Sequence, residues 1–592
     1  MFPLTQVSPR AAGIVAAIAV TASLAAAPDA VKQSHVAVPM RDGVVLRAEV
    51  WRPAATGRFP VLVYRTPYGR LQATAQDTMF EQAVARGYAV VAQDVRGRYD
   101  SEGEFVPYQQ EGRDGYDTIE WAARQPWSDG RVGTFGLSYP GAVQWLAAME
   151  RPPHLRAMVP AMTFATPRHF FYFGGVFDLS WIGWVWNNIA PDVRARNGLE
   201  GPKSGRDART AFAALGPGLH RRLPLSALDE LRPVAPWYFE WLDHPPEDPW
   251  WDWGELRGRY DRLDGVAVLN ISSWYDEAYG PDGATTNFAG LLAARQGQAD
   301  PGTQLLLGPW THGVPRPADC RVGQRDFCPA AIIDYDALVL DWMDRYVRGL
   351  NNGVDRRKPV RYFVMGTNEW RDVDAWPPPG TEWRSLYLHG APIAGRPGRL
   401  DREAPARPPA TTSFTSDPSD PVVNPHPFNT GAQDWRGLAG RADVSVFETD
   451  PLERDLEVTG PITAEIFLSC DAPDTDLWVR LLDVAPDGTA HTLMSPGADV
   501  LRASYRNGGR ERLEPGRVYR LRLERLMTGN VFARGHRVRV QISASLSPDF
   551  SVNLHTGARE TVSAERRRAR LTVHHDATRP SRIVLPVAPL GR

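Results

Sequence analysis

The chain has 592 residues, of which 43% are hydrophobic and 23% are charged, and its formal net charge is −2. A globular chain of this length has room for two or three domains. Because the net charge is close to zero, the chain has no general attraction for nucleic acid or for anionic membranes, and neither is expected as a partner.

The first 27 residues have the composition of a secretory signal peptide. Arg10 precedes an uncharged run of small and apolar residues, 11–27, that ends in three alanines. This order is typical of export signals, and the run is short for a membrane span, which needs ~20 strongly apolar residues. We expect residues 1–27 to direct export to the periplasm or the medium. An uncleaved N-terminal anchor is the alternative.

Short apolar runs alternate with helical patterns from residue 32 to residue 165, after an expected hairpin whose turn is Asp42-Gly43. Such alternation predicts a largely parallel sheet that helices cover on both faces. Similar runs return between residues 262 and 357. The apolar runs are 60–64, 88–92, 132–135, 157–160, 266–271 and 304–307, and the early helical patterns are 79–86 and 116–124.

The pattern is interrupted between residues 166 and 261, a stretch rich in tryptophan, proline and arginine. This composition predicts an inserted, mostly helical cap. Its tryptophans could form one wall of a substrate pocket, or they could be the core of the insertion, because a small insertion needs large side chains to build a core. The sequence favours neither alternative.

From residue 358 to residue 592 the hydrophobic period becomes two. Runs at 462–468, 476–484, 517–523 and 536–544 alternate or are short, and turn residues separate them. Many short strands without intervening helices predict an antiparallel β-sandwich, most simply a jelly roll.

The segment Gly136-Leu-Ser-Tyr-Pro-Gly141 follows one of the predicted core strands and precedes a helical pattern. A serine at a tight turn between a strand and a helix is exposed, and flanking glycines relieve the crowding of that turn. The N–H of Tyr139 then lies at a helix N-terminus, which favours negative charge. The segment departs from the usual G-x-S-x-G pattern, because its second glycine comes one residue late.

Two other core strands are followed by an ionisable residue. The run 266–271 leads to Asp276, and the run 304–307 leads to His312. The chain order Ser138, Asp276, His312 is that of the catalytic residues of α/β-hydrolases. Three such placements in one order predict a nucleophile, its base and the carboxylate that orients the base.

The chain resembles the family of cocaine esterase, the α-amino-acid ester hydrolases and the X-Pro dipeptidyl-peptidases. The resemblance covers nearly the whole chain after the predicted signal peptide. The matching segments are Tyr64-Arg-Thr-Pro-Tyr68, Asp94-Val-Arg-Gly97, Ser101-Glu-Gly103, Trp127-Ser-Asp-Gly130, Gly136-Leu-Ser-Tyr-Pro-Gly141, Trp274-Tyr-Asp276 and Gly308-Pro-Trp-Thr-His312.

This resemblance implies an α/β-hydrolase core, an inserted helical cap and a C-terminal jelly roll. It implies Ser138 as nucleophile, His312 as general base and Asp276 as the residue that orients the imidazole. The oxyanion hole would pair the backbone N–H of Tyr139 with the hydroxyl of Tyr68, a residue that composition alone does not single out.

No cofactor is expected, and no metal-binding motif occurs in the sequence. In an exported protein the cysteine pair Cys320 and Cys328, eight residues apart in a polar segment, is expected to form a small disulfide. Cys470 lies in an apolar run and is expected to be a buried free thiol.

The expected substrates are small molecules that contain an ester or an amide bond, and the oligomeric state is left open. The α-amino-acid ester hydrolases hold a substrate ammonium with acids shortly after the catalytic aspartate, whereas Ala278 and Tyr279 occupy part of that segment here. A neutral or acidic acyl group is therefore favoured. Arg168 at the start of the cap could bind a carboxylate or could be a solvated surface residue.

Two alternatives remain open from the sequence. One is an aminopeptidase that releases X-Pro dipeptides. The other is a non-catalytic protein that binds a carbohydrate or a surface partner through the jelly roll.

Overall fold

The structure is a computed structural model that describes residues 30–590, apart from 314, 316–319, 393–395, 407–409, 427–429 and 495–498. The predicted signal peptide, residues 1–27, lies outside the described residues. Within the described ranges, no helix combines the length and the apolar character that crossing a membrane requires.

The chain first builds an α/β core and then inserts a cap into it. The first part of the core contains β1 (Val31–Pro39), β2 (Val45–Arg52), β3 (Phe59–Thr66), α1 (Arg70–Gln76), α2 (Met79–Ala85), β4 (Ala89–Asp94), α3 (Glu111–Ala123), β5 (Ser128–Leu137), α4 (Tyr139–Met149) and β6 (Leu155–Ala161). The cap contains α5 (Arg168–Phe171), β7 (Tyr172–Phe173), β8 (Val176–Phe177), α6 (Ser180–Trp184), a π-helical turn (Val185–Ile189), α7 (Ala190–Asn197), α8 (Gly205–Leu219) and α9 (Trp237–Asp243).

After the cap the chain returns to the core with β9 (Ala267–Tyr275), α10 (Asp282–Ala294), β10 (Thr303–Thr311), β11 (Arg321–Val322), β12 (Arg325–Asp326), α11 (Tyr335–Tyr346), β13 (Val360–Val364) and β14 (Glu369–Val373). The large sheet has ten strands in the order β1-β2-β4-β3-β5-β6-β9-β10-β13-β14. Pairing is parallel from β4 to β13 and antiparallel at both edges. Strands β4 and β9 are buried at every position, as expected for central strands that helices cover on both faces.

The C-terminal part is almost entirely β-structure. Its strands are β15 (Glu382–His389), β16 (Gly398–Asp401), β17 (Thr411–Ser416), β18 (Ser445–Glu448), β19 (Leu456–Cys470), β20 (Asp476–Val484), β21 (Ala490–Thr492), β22 (Val500–Arg502), β23 (Val518–Phe532), β24 (Arg537–Ser543), β25 (Ala569–Asp576), β26 (Arg579–Pro580) and β27 (Arg582–Val587). These strands pair with one another and form a second sheet, separate from that of the core. The α/β core with a separate β-rich C-terminal domain confirms the predicted fold class.

Two strands that follow the predicted boundary between the core and the C-terminal domain pair with the core sheet. The division between residues 357 and 358 comes before β13 and β14, and both strands belong to the core sheet. β13 pairs in parallel with β10, so that Val360 lies opposite Leu305. Because a short apolar strand looks alike in either domain, the sequence did not show which sheet it joins. The first strand of the second sheet begins only at Glu382.

The cap is hydrogen-bonded to the C-terminal domain as well as to the core. The N–H of Leu179 donates to the carbonyl of Asp549 at 2.8 Å, and the N–H of Leu225 donates to the carbonyl of Glu560 at 2.9 Å. The N–H of Arg502 donates in the opposite direction, to the carbonyl of Gly174, at 2.8 Å. The cap therefore contacts the C-terminal domain directly as well as the core.

The structure joins Cys320 and Cys328 by a disulfide that closes the small β11–β12 hairpin. Cys470, at the end of β19, is buried and free. Burial raises the pKa of its thiol to about 11, which keeps the sulfur in its unreactive protonated form at neutral pH.

We expect thiol titration of the unreduced protein in denaturant to detect one free thiol per chain, and titration after reduction to detect three, because the chain has three cysteines. The Cys470→Ser variant is the control and should show none before reduction. Three reactive thiols without reduction would contradict the disulfide.

Candidate active site

Ser138 lies at the turn between β5 and α4. Its φ of +67° is in the left-handed region, which is unfavourable for a residue with a side chain. The surrounding structure enforces this conformation: the N–H of Ser138 donates to the carbonyl of Ala161 on the adjacent strand β6 at 2.9 Å, and α4 begins at the next residue. The turn presents the hydroxyl at the carboxyl edge of the sheet.

The two glycines of the motif allow this close turn. A Cβ on Gly136 would lie 2.5 Å from the Cβ of Pro140, and a Cβ on Gly141 would lie 2.5 Å from the carbonyl oxygen of Ala161. The late glycine is therefore required where the first turn of α4 touches strand β6, and Pro140 occupies an early helical position that needs no N–H donor.

His312 is hydrogen-bonded to both Ser138 and Asp276. Its Nε2 lies 2.9 Å from Ser138 Oγ, and its Nδ1 lies 2.8 Å from Asp276 Oδ1. Since a carboxylate only accepts, Nδ1 carries the proton and Nε2 is left to accept from the serine hydroxyl. The same Asp276 oxygen also accepts from the N–H groups of Ala278, at 3.1 Å, and Tyr279, at 3.2 Å.

A bulge in β10 aligns His312 with Asp276. Gly308 lies opposite Ser273 on β9, but Thr311 lies opposite Tyr275, so β10 contains one extra residue around Pro309. Because proline has no N–H to donate to a neighbouring strand, this position suits a bulge. Because of the extra residue, His312, which directly follows β10, lies level with Asp276, which directly follows β9.

The backbone N–H of Tyr139 and the hydroxyl of Tyr68 lie beside Ser138. Tyr139 is the first residue of α4, where the helix offers no acceptor to its N–H. Tyr68 lines the same cavity as Ser138, and its hydroxyl accepts a hydrogen bond from Trp184 Nε1 at 3.0 Å. Burial raises the pKa of Tyr68, and hydrogen bonds with Trp184 and Ser138 oppose that rise. Tyr68 is therefore a neutral phenol at ordinary pH and can donate its proton.

The Tyr139 side chain is fixed below the turn. Its hydroxyl donates to Glu111 Oε1 at 2.8 Å and accepts from the N–H of Tyr108 at 2.9 Å. Glu111 is in turn paired with Arg65 at 2.9 Å. These buried contacts hold the first turn of α4, and with it the direction of the free N–H.

Ser138 and His312 open into a cavity of about 670 Å³ between the core, the cap and the C-terminal domain. Many of the side chains that line it are aromatic: Tyr64, Tyr68, Tyr108, Phe135, Phe170, Trp181, Trp184, Phe212, Tyr279 and Tyr335. A volume of this size accommodates a small organic molecule, and such walls favour apolar and aromatic groups.

Both interpretations of the cap tryptophans apply, but to different residues. Trp181 and Trp184 line the cavity. Trp241 and Trp251 are fully buried and belong to the core of the cap together with Trp237. The sequence could not separate the two groups because both consist of tryptophans in short helical segments of the same insertion.

Arg168 does not face the cavity, so it offers no site for a substrate carboxylate there. Its guanidinium pairs with Asp252 at 2.6 Å and with Glu255 at 3.2 Å, and it also donates to the carbonyl of Asp248. It thereby ties the ends of the cap together. Its partners lie about 80 residues away in the sequence, which is why the sequence suggested a free positive charge.

Three acids that the sequence did not single out line the cavity, and one of them, Asp77, belongs to the core. Asp178 follows β8 in the cap, and Asp549 comes from the C-terminal domain. Burial raises the pKa of Asp178 to about 7, with a further contribution from Asp549. Burial also raises the pKa of Asp549 and of the neighbouring Glu277. The sequence-based preference for a neutral or acidic acyl group did not take these acids into account.

Tyr279 is a further site residue that sequence reasoning missed. The ring of Tyr279 stacks on His312 with centroids 5.6 Å apart and on Phe170 with centroids 4.2 Å apart. Tyr279 lies three residues after Asp276, and this proximity was the only available signal. Among the described residues, no group of three or more His, Cys, Asp or Glu side chains is arranged to hold a metal ion.

Comparison with known proteins identifies the family. The sequence model of the X-Pro dipeptidyl-peptidase (S15 family) matches residues 42–314, and that of the X-Pro dipeptidyl-peptidase C-terminal non-catalytic domain matches residues 352–584. The chain is 35% identical to the cocaine esterase of Rhodococcus sp. (strain MB1 Bresler) over 581 residues, which are 94% of this chain and 98% of that protein.

Solved structures show the same fold. An aminopeptidase from a Thaumarchaeota archaeon of marine sediment matches with a TM-score of 0.76 at 23% identity and covers 95% of this chain and 97% of its own. An α-amino acid ester hydrolase matches with a TM-score of 0.72 at 23% identity and covers 98% and 100%. The chain belongs to the S15 family of serine hydrolases, which includes esterases and X-Pro peptidases, and it is an enzyme.

We expect Gly141→Ala to destabilise the protein by ~1–3 kcal/mol and to lower its activity, because the added methyl group would press on the backbone of Ala161 and not on a flexible side chain. Denaturant unfolding measures the change.

The matched control is Gly218→Ala in α8, where a Cβ would meet no atom within 4 Å. This variant should be stabilised by ~0.5 kcal/mol, because alanine loses less conformational freedom than glycine when a helix forms. Equal stability of the two variants would contradict the close approach at Gly141.

Proposed function

We propose that this enzyme is an exported serine hydrolase that cleaves carboxylic ester bonds, and amide bonds as a secondary class, through an acyl-enzyme intermediate on Ser138. The observation that carries the proposal is the hydrogen-bonded series Ser138–His312–Asp276 at the mouth of an aromatic cavity. The 35% identity to a cocaine esterase supports the ester preference. Export rests on the composition of residues 1–27.

In the first half of the reaction, Ser138 Oγ attacks the substrate carbonyl and His312 Nε2 takes the hydroxyl proton, along the 2.9 Å hydrogen bond. Asp276 keeps the proton on His312 Nδ1 and stabilises the imidazolium that forms. The N–H of Tyr139 and the hydroxyl of Tyr68 stabilise the negative charge on the carbonyl oxygen. One donor of this kind contributes roughly 10²–10³ to the rate.

To complete the first half, His312 gives its proton to the leaving alcohol or amine and the acyl group remains on Ser138. In the second half, water attacks the acyl-enzyme while His312 again accepts a proton, and His312 returns that proton to Ser138 Oγ as the bond to the acyl group breaks and the acid product leaves. Because the cavity contacts the core, the cap and the C-terminal domain, all three parts select the substrate.

One observation favours an aminopeptidase as the second candidate. Asp178 and Asp549 place carboxyl groups in the cavity wall, where they could hold the ammonium group of a peptide N-terminus. The same acids could equally hold the basic nitrogen of an ester substrate. Turnover of p-nitrophenyl acyl esters above that of X-Pro anilides supports the esterase, and the reverse ranking supports the peptidase.

Ser138→Ala should abolish ester hydrolysis and labelling by a fluorophosphonate probe, because no other group replaces the attacking oxygen. Its thermal unfolding midpoint should stay near that of the parent, since the change removes one hydroxyl that lines the cavity and leaves the backbone of the turn intact. The control is Ser413→Ala, which alters an exposed hydroxyl in the second sheet. Activity or labelling that survives in Ser138→Ala would contradict the proposed nucleophile. A parent chain that neither hydrolyses esters nor reacts with the probe would favour the non-catalytic alternative.

We expect affinity for a cationic ester to rise as the pH increases through about 7. The raised pKa of Asp178 means that its carboxyl is neutral below that pH and negatively charged above it. Comparison of KM for two aryl esters of equal shape, one with a trimethylammonium group and one with a tert-butyl group, isolates the effect of charge.

Asp178→Asn should remove most of that pH dependence for the cationic ester and leave KM for the neutral ester unchanged. The asparagine oxygen can still accept from the N–H of Ser180, as Asp178 does at 2.8 Å. The same pH dependence with both esters would show that the carboxyl does not contact the substrate charge.

A further inference from the structure

Stabilisation of an oxyanion by Tyr68 depends on where its single hydroxyl proton points. A phenol oxygen can donate once and accept twice, and an indole N–H can only donate. Trp184 Nε1 lies 3.0 Å from Tyr68 Oη, so Tyr68 is the acceptor in this pair. The proton of Tyr68 must then point away from Trp184, and Ser138 is a hydrogen-bonding neighbour of Tyr68. The hydrogen bond from Trp184 thus turns the proton toward the nucleophile.

The same hydrogen bond makes Tyr68 a better donor. A hydrogen bond to the phenol oxygen withdraws electron density and favours release of the proton. For Tyr68 this effect opposes the rise in pKa that burial causes. An oxyanion next to the hydroxyl would therefore meet a more strongly polarised O–H group.

Both partners of this hydrogen bond are held by one buried arginine. The guanidinium of Arg98 donates to the carbonyl of Pro67, next to Tyr68, at 2.8 Å. It also donates to the carbonyls of Ile189, at 3.0 Å, and Asn188, at 3.1 Å, in the helical segment that follows Trp184. The segments that carry the donor and the acceptor are thus fixed relative to each other.

The helix that carries Trp184 becomes irregular directly after this residue. Trp184 is the last residue of α6, and a π-helical turn separates α6 from α7. Pro191 at the start of α7 explains the irregularity, because it has no N–H to donate and its ring crowds the preceding turn. The indole ring lies nearly parallel to that of Tyr139, at 9°, and packs edge-on against Trp181.

We propose that Trp184 is a positioning residue for catalysis: its indole N–H orients and polarises the Tyr68 hydroxyl in the oxyanion hole. The inference rests on the proposed function and adds to it that the cap takes part in transition-state stabilisation as well as in forming the cavity. Trp184 acts through Tyr68, so its contribution exists only when the Tyr68 hydroxyl is present.

A double-mutant cycle tests this dependence with p-nitrophenyl esters. Trp184→Phe removes the N–H and keeps an aromatic ring; we expect kcat to fall about 3- to 10-fold with KM within about 2-fold, as for the loss of one hydrogen bond. Tyr68→Phe should lower kcat by about 100-fold. The double variant should be as slow as Tyr68→Phe alone.

Trp181→Phe is the matched control. Trp181 lines the same cavity in the same helix, but its Nε1 has no hydrogen-bond partner among the residues that the structure describes. Its effect on kcat should be the same with Tyr68 intact and with Tyr68→Phe. A cycle in which Trp184→Phe also has equal effects in both backgrounds would overturn the inference, as would a rise in KM alone.

Should Trp184→Phe fail to fold, as shown by thermal unfolding, the indole can be replaced by benzothiophene through 3-benzothienylalanine, which keeps the ring shape and lacks the N–H. The same non-additive loss of kcat is expected. Normal kcat in this variant, or in Tyr68→Phe itself, would refute the role of Trp184. If either of these results is found and Ser138→Ala is inactive, the proposed function still holds and only the role of Trp184 is refuted. An active Ser138→Ala variant would refute the proposed function itself.

Discussion

Parallel pairing of β5, β6, β9 and β10 is the constraint on which the site depends. Leu137 lies opposite Ala161, and Ala161 lies opposite Ile271, while Tyr275 lies opposite Thr311. Because parallel strands end at a common edge, the residues that follow β5, β9 and β10 meet there although up to 174 positions separate them. A one-residue slip would turn the side chains to the other face, and the bulge around Pro309 sets the register for His312.

The reactive edge of the sheet is closed by two parts of the chain that do not belong to it. The cap provides Trp181, Trp184 and Asp178, and the C-terminal domain provides Asp549. The backbone hydrogen bond from Leu179 to Asp549 joins these two parts next to the cavity. The C-terminal domain thus contributes a polar group to the cavity wall in addition to stabilising the cap.

The arginines around the cavity are paired within the protein, whereas two carboxyl groups of the cap and the C-terminal domain face the cavity. Arginines are mostly held by carboxylates or backbone carbonyls, as Arg168 and Arg98 are. The carboxyl groups of Asp178 and Asp549 face the cavity without a bonded arginine among the described residues, and burial raises the pKa of both. The cavity is therefore largely apolar, with a few acids, and the charge of Asp178 depends on pH near neutrality. Such a wall suits an aromatic ester with a basic or hydrogen-bond-donating group.

The sequence alone determined the α/β core, the inserted cap, the β-rich C-terminal domain and the family. Those features depend on local periodicity, on turn residues and on short motifs such as the segment around Ser138, all of which can be recognised within a few residues. The motifs also predicted Ser138, Asp276, His312 and Tyr139 as site residues, and the family resemblance added Tyr68. The structure gathers these five at one edge of the sheet.

The tertiary structure alone decided which sheet residues 360–373 join, which tryptophans face the cavity and which charges are free. Arg168 pairs with carboxylates about 80 residues further along the chain, and Asp549 lines the cavity although it belongs to the C-terminal domain. Trp184 and Tyr68 are hydrogen-bonded although 116 positions separate them. Contacts between distant segments depend on how packed elements are placed in space, and no local pattern in the chain records that placement. The roles of Trp184, Asp178 and Asp549 therefore could be inferred only once the fold had brought them to the site.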